Sequence, residues 1–216
     1  MTVRNKATRI RLADFSSAPM RAFHMSWIAF FLCFFGWFGI APLMPVIRQE
    51  LHLTKAQIGN LTIASVAITV LVRMLIGWLC DHIGPRRAYT WLLILGSLPV
   101  MSVGLAHDYN TFLLFRLAIG AIGASFVITQ YHTSVMFAPN IVGTANAAAA
   151  GWGNLGGGVT QIVMPLLFGI RQLGRERLVG MADGDVRARR GDAVVRDRVL
   201  QVDTGHGRWR LRGASR

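Results

Sequence analysis

The chain has 216 residues, of which 53% are hydrophobic and 15% charged, and its formal net charge is +13. A mean hydropathy of +0.43 is too apolar for an ordinary water-soluble domain of this size, and it predicts a membrane protein. Because no basic face recurs with helical spacing in a polar domain, the positive charge argues against a nucleic-acid-binding protein and favours arginines that flank membrane segments.

The first 22 residues form a polar, basic segment that we predict to be a cytoplasmic tail. Its basic residues are Arg4, Lys6, Arg9, Arg11 and Arg21. The apolar run that follows is longer than the hydrophobic part of a signal peptide, and no cleavage site of small residues comes after it. The pattern therefore argues against a cleaved signal peptide.

Residues 23–170 contain five apolar segments, each close to or above the ~20 residues that a helix needs to cross a bilayer. We place them at residues 23–47, 56–80, 88–106, 110–137 and 142–170. The predicted fold class is all-α, a polytopic membrane helix bundle of about five transmembrane helices. Basic residues concentrate in the first 22 residues and in the link "DHIGPRR", so the amino terminus is predicted to lie in the cytoplasm, on the inner side of a cell inner membrane.

Residues 171–216 differ abruptly in composition from the apolar segments. They contain twelve Arg but no Lys, Ile, Phe, Tyr or Pro, and no apolar run long enough for a sixth helix. This bias is typical of an out-of-frame reading of a GC-rich gene, and we predict a disordered, Arg-rich tail on a truncated or frameshifted chain. The alternative is a genuine disordered basic tail.

The link between the second and third segments carries the motif "GWLCDHIGPRR", which resembles the signature of the major facilitator superfamily. The motif residues are Gly77, Asp81, Gly84, Arg86 and Arg87. Gly84 permits a tight turn, and the two arginines anchor the inner face of the membrane. Residues 116–123, "RLAIGAIG", resemble the fourth-helix motif of the same superfamily. Both motifs indicate a fold and a conformational switch and do not specify a substrate.

Arg73 is a charged residue inside the second apolar segment. It lies eight positions before Asp81, or roughly 12 Å from the inner end of the helix. A charge at that depth costs roughly 2.5–3.5 kcal/mol on insertion scales, so it normally faces a cavity or a partner. Because no Asp or Glu lies within the five segments, a bound planar oxyanion is a natural counter-ion. The alternative is an arginine that pairs with backbone carbonyls or snorkels.

The fifth segment contains "AGWGNLGGGVTQ", which is unusually rich in glycine. Ala149, Gly153 and Gly157 recur at helical spacing and predict a small face that allows two helix backbones to approach closely. Asn154 adds a hydrogen-bond donor beside that face. Packing alone is the alternative explanation of the pattern.

This stretch closely resembles the fifth-helix signature of the nitrate/nitrite porter family within the major facilitator superfamily. The segment "FVITQYHTSVMFAPNIVGTANA" just before it is similar to that family too, and the resemblance runs from Trp27 to Ile170. The resemblance implies transport of nitrate or nitrite. The substrate-binding residues it implies are Arg73, Phe126, Asn154, Gly153, Gly156 and Gly157, with Phe34 and Trp37 as weaker candidates.

The resemblance also implies that the anion binds between two six-helix halves, with a second arginine from the carboxyl-terminal half. We therefore expect this chain alone to be inactive. The expected partners are a nitrate or nitrite anion, the lipid bilayer and the missing carboxyl-terminal half, with no nucleic acid, metal or cofactor. One alternative is a porter for another small anion such as formate. Another is a non-transporting membrane protein that binds a partner through its glycine faces. The histidines form no ligand spacing and no nucleophile–base set is visible, so an enzyme is not expected.

Overall fold

The computed structural model describes the backbone of residues 6–203 and the side chains of residues 6–174. The described residues form seven α-helices, which confirms the all-α fold class. They are α1 Ala18–Phe38, α2 Met44–Glu50, α3 Lys55–Ile83, α4 Pro85–Ser102, α5 Tyr109–Gly120, α6 Ser125–Met136 and α7 Val142–Asp203. Five stretches in this part are long and apolar enough to cross a membrane: Ala18–Glu50, Lys55–Ile83, Pro85–Leu105, Tyr109–Met136 and Val142–Gly174.

The first of these stretches begins earlier than predicted and is interrupted. Ser17 occupies the N-cap position of α1, and Pro19 lies in the first turn, where its missing N–H has no helical partner to lose. Residues 18–22 therefore belong to the first helix, although we predicted them as part of the tail. After Phe38 the chain passes through a 3₁₀ turn, Ala41–Leu43, before it continues as α2.

The fourth stretch consists of α5 and α6, joined by a 3₁₀ turn over Ala121–Ala124. Gly120 lies just before this turn, and a Cβ placed there would collide with the Ser65 carbonyl of α3. The Thr69 hydroxyl lies 2.8 Å from the Gly120 carbonyl, which accepts its hydrogen bond. The glycine thus lets α5 approach α3 closely, and the threonine joins the two helices at that point.

A single residue, Gly84, joins α3 to α4. Its φ angle is +83°, a backbone conformation that L side chains rarely adopt, so the predicted tight turn is present. Asp81, Arg86 and Arg87 are exposed around this turn. The motif residues therefore lie together at one end of the α3–α4 pair.

The main core lies between α1, α3, α4, α5 and α6. Its fully buried apolar side chains include Phe30, Leu61, Phe112, Ile119 and Ile128. Tyr89 of α4 adds a polar link, because its hydroxyl donates to the Ser125 carbonyl of α6 at 3.1 Å. Large apolar side chains on the opposite faces, such as Met74 at 75% and Met101 at 82% exposure, are placed to contact lipid.

The chain divides into two compact units, Met1–Pro165 and Leu166–Arg216. Within the second unit, α7 continues to Asp203, so residues 171–203 are helical where we predicted disorder. Arginine, leucine and alanine are good helix formers, and no proline interrupts residues 171–203. Residues 204–216 lie outside the described part of the chain, and the out-of-frame origin of the tail stays a prediction.

Candidate anion-binding site

Arg73 and Phe126, which were assigned to one site by resemblance, lie close together in the structure. The guanidinium carbon Cζ of Arg73 on α3 lies 5.7 Å from the centroid of the Phe126 ring on α6. This distance is within the range of a cation–π interaction. The Arg73 Nε atom is buried and has no hydrogen-bond partner within the described residues. The site therefore combines an unpaired guanidinium donor with a flat aromatic face.

Phe30 of α1 completes this arrangement, although no sequence motif indicated it. The Phe30 ring is fully buried, and its centroid lies 5.7 Å from that of Phe126. Phe30 also packs directly on Gly153 of α7. Of the two residues proposed from α1, Phe34 contacts Phe30 with ring centroids 4.4 Å apart. The sequence signal that could have indicated Phe30 is its spacing of four residues from Phe34, which places both on one face of α1.

Trp37, the other aromatic candidate from α1, belongs to a polar cluster farther along the helix. Its indole N–H donates to the buried Ser65 hydroxyl at 3.0 Å. Its backbone carbonyl accepts a hydrogen bond of 3.4 Å from Nη1 of Arg116, which is only 8% exposed. A cation at the carboxyl end of α1 complements the negative end of the helix dipole. Arg116 therefore stabilises the end of α1 in this structure.

Three glycines of the fifth segment contact α1. A Cβ at Gly153 would collide with the Phe30 ring, and a Cβ at Gly156 would collide with the Phe31 carbonyl. At Gly157 a Cβ would lie 3.1 Å from the Phe38 ring. These contacts account for the small residues by close helix packing, which was the alternative explanation. A direct role of the three glycines in anion binding stays a prediction.

Asn154 is exposed, and the described contacts of Arg73 and Phe126 do not include it. The structure thus connects Arg73, Phe126, Phe30 and Gly153 in one continuous cluster but leaves Asn154 beside it. Its role near the anion stays a prediction.

Comparison with protein families identifies the superfamily. The family description "Major Facilitator Superfamily" matches residues 26–172, which is more than half of the chain. The chain belongs to the Major Facilitator Superfamily. The resemblance of the motif around Asp81 and Gly84 to the signature of this superfamily is therefore confirmed.

Curated relatives from plants and cyanobacteria carry names that refer to nitrate. The chain is 46% identical to "High affinity nitrate transporter 2.5" of Arabidopsis thaliana over 173 residues, covering 79% of this chain and 34% of the relative. It is 44% identical to "High-affinity nitrate transporter 2.3" of Oryza sativa subsp. japonica over 163 residues, covering 76% of this chain and 32% of the relative. "Nitrate/nitrite transporter NrtP" of a Picosynechococcus strain is 42% identical over 147 residues, covering 68% of this chain and 27% of the relative.

These relatives confirm the similarity to nitrate/nitrite porters. The chain spans about a third or less of the length of each of them, since 34%, 32% and 27% of the three relatives are covered. The comparison with solved structures gives no match.

Proposed function

We propose that the chain is the amino-terminal part of a nitrate/nitrite transporter of the inner membrane, with its amino terminus in the cytoplasm. The observation that carries the proposal is the unpaired Nε of Arg73 beside the Phe126 ring. An arginine without a carboxylate partner in an apolar segment favours an anionic ligand. The names of the relatives support nitrate and nitrite as that ligand.

The two side chains have complementary tasks in this proposal. The guanidinium of Arg73 donates two parallel hydrogen bonds to two oxygens of the planar anion. The Phe126 ring packs against the flat face of the anion and keeps water from it. Phe30 and Phe126 form an aromatic wall, and because Phe30 contacts both Phe126 and Gly153, we expect this wall to keep its position when the anion leaves.

Transport by this mechanism needs a second helix bundle, which would close the site from the other side and alternate its access. We propose that a carboxyl-terminal half supplies this bundle and a second cation. The exposed residues Asp81, Arg86 and Arg87 at the α3–α4 turn would contact that half at the inner face. The relatives are named transporters, and passage of an anion between two bundles requires no enzymatic step.

The test is binding of isotopically labelled nitrate to the purified chain in lipid nanodiscs, with unlabelled nitrate, nitrite, formate and chloride as competitors. We expect nitrate and nitrite to compete better than formate and chloride, and Arg73→Gln to remove this binding. Arg21→Gln is the matched control, because Arg21 is exposed and lies outside the site. Better competition by formate would favour the alternative of a porter for another small anion. Equal binding by the Arg73→Gln variant would contradict the proposal.

A further inference from the structure

The segment before α1 is attached to the turn between α6 and α7. The backbone N–H of Ala7 donates to the Met136 carbonyl at 3.0 Å. The N–H of Ala138 donates back to the Ala7 carbonyl at 2.9 Å. Residue 7 thus forms an isolated bridge with Phe137 beyond the end of α6. This segment, residues 6–17, is called the amino-terminal strap below.

Two further features hold the strap in place. Ala7 and Ile10 pack against an apolar cluster that includes Phe23 and Phe137. Near its other end, one carboxylate oxygen of Asp14 accepts hydrogen bonds from the backbone N–H groups of Ser16 and Ser17. The pKa of Asp14 lies well below its ordinary value because these groups stabilise the charged carboxylate. The Ser17 hydroxyl has the largest effect, followed by the Ser16 hydroxyl and the two backbone N–H groups. The turn into α1 is therefore held by a charged carboxylate at neutral pH.

The strap places Lys6 in a pocket on the same face of α6 as Phe126. The pocket has a volume of about 540 Å³, and Lys6, Phe126, Gln130 and Ser134 are among the residues that line it. Residues 126, 130 and 134 are spaced four apart on one helix face. Ser134 lies eight residues beyond Phe126, or roughly 12 Å along the axis of α6. One pocket thus has both Phe126, a residue of the candidate anion site, and the exposed Lys6 in its lining.

Lys6 retains donors for a ligand. Its Nζ lies 3.5 Å from the Ser134 carbonyl, which accepts one of the three ammonium hydrogens. Among the described residues that line the pocket, Lys6 is the one with a charged side chain. Gln130, which also lines the pocket, is the candidate second donor, because its side-chain amide is neutral and carries two hydrogens. Its Nε2 donates one hydrogen to the Asn146 carbonyl at 3.3 Å and keeps the other.

We propose that Lys6 forms a second, outlying binding position for the same small oxyanion, between the Arg73–Phe126 site and the cytoplasm. This inference rests on the proposed function and adds a second binding position on the path of the anion. Lysine is a compact point charge without the planar fork of arginine, so it attracts an anion without fixing its orientation. Such a position receives and releases the anion while Arg73 recognises it. Ala7 is a positioning residue, because its two hydrogen bonds hold the strap that carries Lys6.

The sequence offers an internal control, because its two lysines, Lys6 and Lys55, lie far apart in the chain. Lys55 is the exposed first residue of α3, at the end of that helix opposite the Gly84 turn. The purified full chain in nanodiscs is acetylated with a limiting amine reagent at fixed pH and ionic strength. Sodium nitrate is compared with sodium gluconate, and mass spectrometry measures the rate at each lysine.

We expect nitrate to slow acetylation of Lys6 and to leave Lys55 unchanged. At a nitrate concentration about four times the dissociation constant, the acetylation rate at Lys6 should fall about fivefold. The fraction of Lys6 without bound nitrate is then about one fifth, the reciprocal of one plus the ratio of the nitrate concentration to the dissociation constant. Ala7→Pro removes the N–H that donates to Met136, and it should abolish the protection. Thr8→Pro is the matched control, because the Thr8 N–H makes no backbone hydrogen bond within the described residues.

The Arg73→Gln variant separates this inference from the proposed function. Protection of Lys6 that persists in Arg73→Gln supports a separate position, whether or not the wild-type chain binds nitrate through Arg73. Loss of the protection in Arg73→Gln would overturn the inference, since the effect would then originate at the Arg73 site. Equal effects of nitrate on both lysines, or none on Lys6, would overturn it as well. Arg73-dependent nitrate binding in that last case would leave the proposed function intact.

Discussion

Arg73 is the residue from which the sequence predicts a binding site. A charge inside an apolar segment without an acidic neighbour predicts a cavity or a ligand, and the structure gives Arg73 an unpaired Nε. Phe126 was assigned by resemblance, and it lies beside the guanidinium. Phe30 was missed because the first segment contains six phenylalanines in residues 23–38. Only tertiary packing decides which of them meets α6 and α7.

At this scale we predict that Arg73→Lys abolishes most nitrate binding in a protein in which the chain is joined to a carboxyl-terminal half. Lysine keeps the charge but lacks the rigid fork that holds two oxygens of a planar anion. Losing one charge-assisted hydrogen bond should cost roughly 1.5–3 kcal/mol, or about one to two decades in affinity. The measurement is nitrate affinity at fixed pH and salt. Membrane insertion should change less, because the two cations have similar costs on insertion scales. Equal affinities would mean that Arg73 is structural.

Among the elements, α7 and α1 form the contact that explains the glycine-rich stretch. The sequence predicted a small face at residues 149, 153 and 157, whereas the buried positions of α7 up to residue 174 are 145, 149, 153, 156 and 160, and residue 157 is half-buried. The spacing of three between 153 and 156 depends on where α1 crosses α7, which the sequence of one helix does not contain. The 3₁₀ turns near Gly39 and Gly120 were missed for a similar reason. The turn after Gly120, for example, lies where the Thr69 hydroxyl of α3 donates to the Gly120 carbonyl, a contact between helices that one segment does not reveal.

We expect Gly156→Ala to destabilise the bundle and Gly158→Ala to be tolerated. At Gly156 the new methyl group would meet the Phe31 backbone carbonyl, which cannot rotate away. Overpacking of this kind costs typically about 1–3 kcal/mol. At Gly158 a Cβ has no neighbour within 4 Å, and alanine favours a helix by about 1 kcal/mol over glycine. Thermal unfolding in one detergent measures both, and equal midpoints for the two variants would contradict close packing at Gly156.

The whole molecule was the most predictable scale. Five apolar segments of sufficient length predicted five membrane-crossing stretches, and the described part of the chain contains five. Length and hydropathy decide this because the bilayer requires backbone hydrogen bonds to close within each helix. The course of residues 171–203 was not predictable in the same way. Their polar composition indicated disorder, whereas their helix-forming residues permit the helix that the structure describes.

The orientation in the membrane gives a testable prediction at the scale of the whole molecule. A cysteine introduced at Arg87 should react with a membrane-impermeant maleimide only after the inner face is exposed, because the adjacent arginines favour the cytoplasm. Lys55→Cys, at the other end of α3, should react in intact cells. The native Cys33 and Cys80 are buried, with exposures of 2% and 1%, so they should add little background. Labelling of Arg87→Cys in intact cells would reverse the predicted orientation.

We also predict that the chain alone does not take up nitrate. Within the described residues one helix bundle surrounds Arg73 and Phe126, and alternating access requires two parts that move against each other. The measurement is nitrate uptake by a strain without other nitrate porters that expresses only this chain. The same strain with an intact porter is the positive control. Uptake above the empty-vector level would show that one bundle, or an assembly of copies, suffices.

The single-residue link at Gly84 has a consequence for how the protein is made. The helix α3 has 29 residues and α4 has 18, and only one glycine separates them. We expect them to enter the bilayer together as a helical hairpin, with Arg86 and Arg87 holding its bend at the cytoplasmic surface. Because the bend needs a positive φ, a bulkier residue at position 84 should reduce the yield of inserted protein during biogenesis, before any anion is bound.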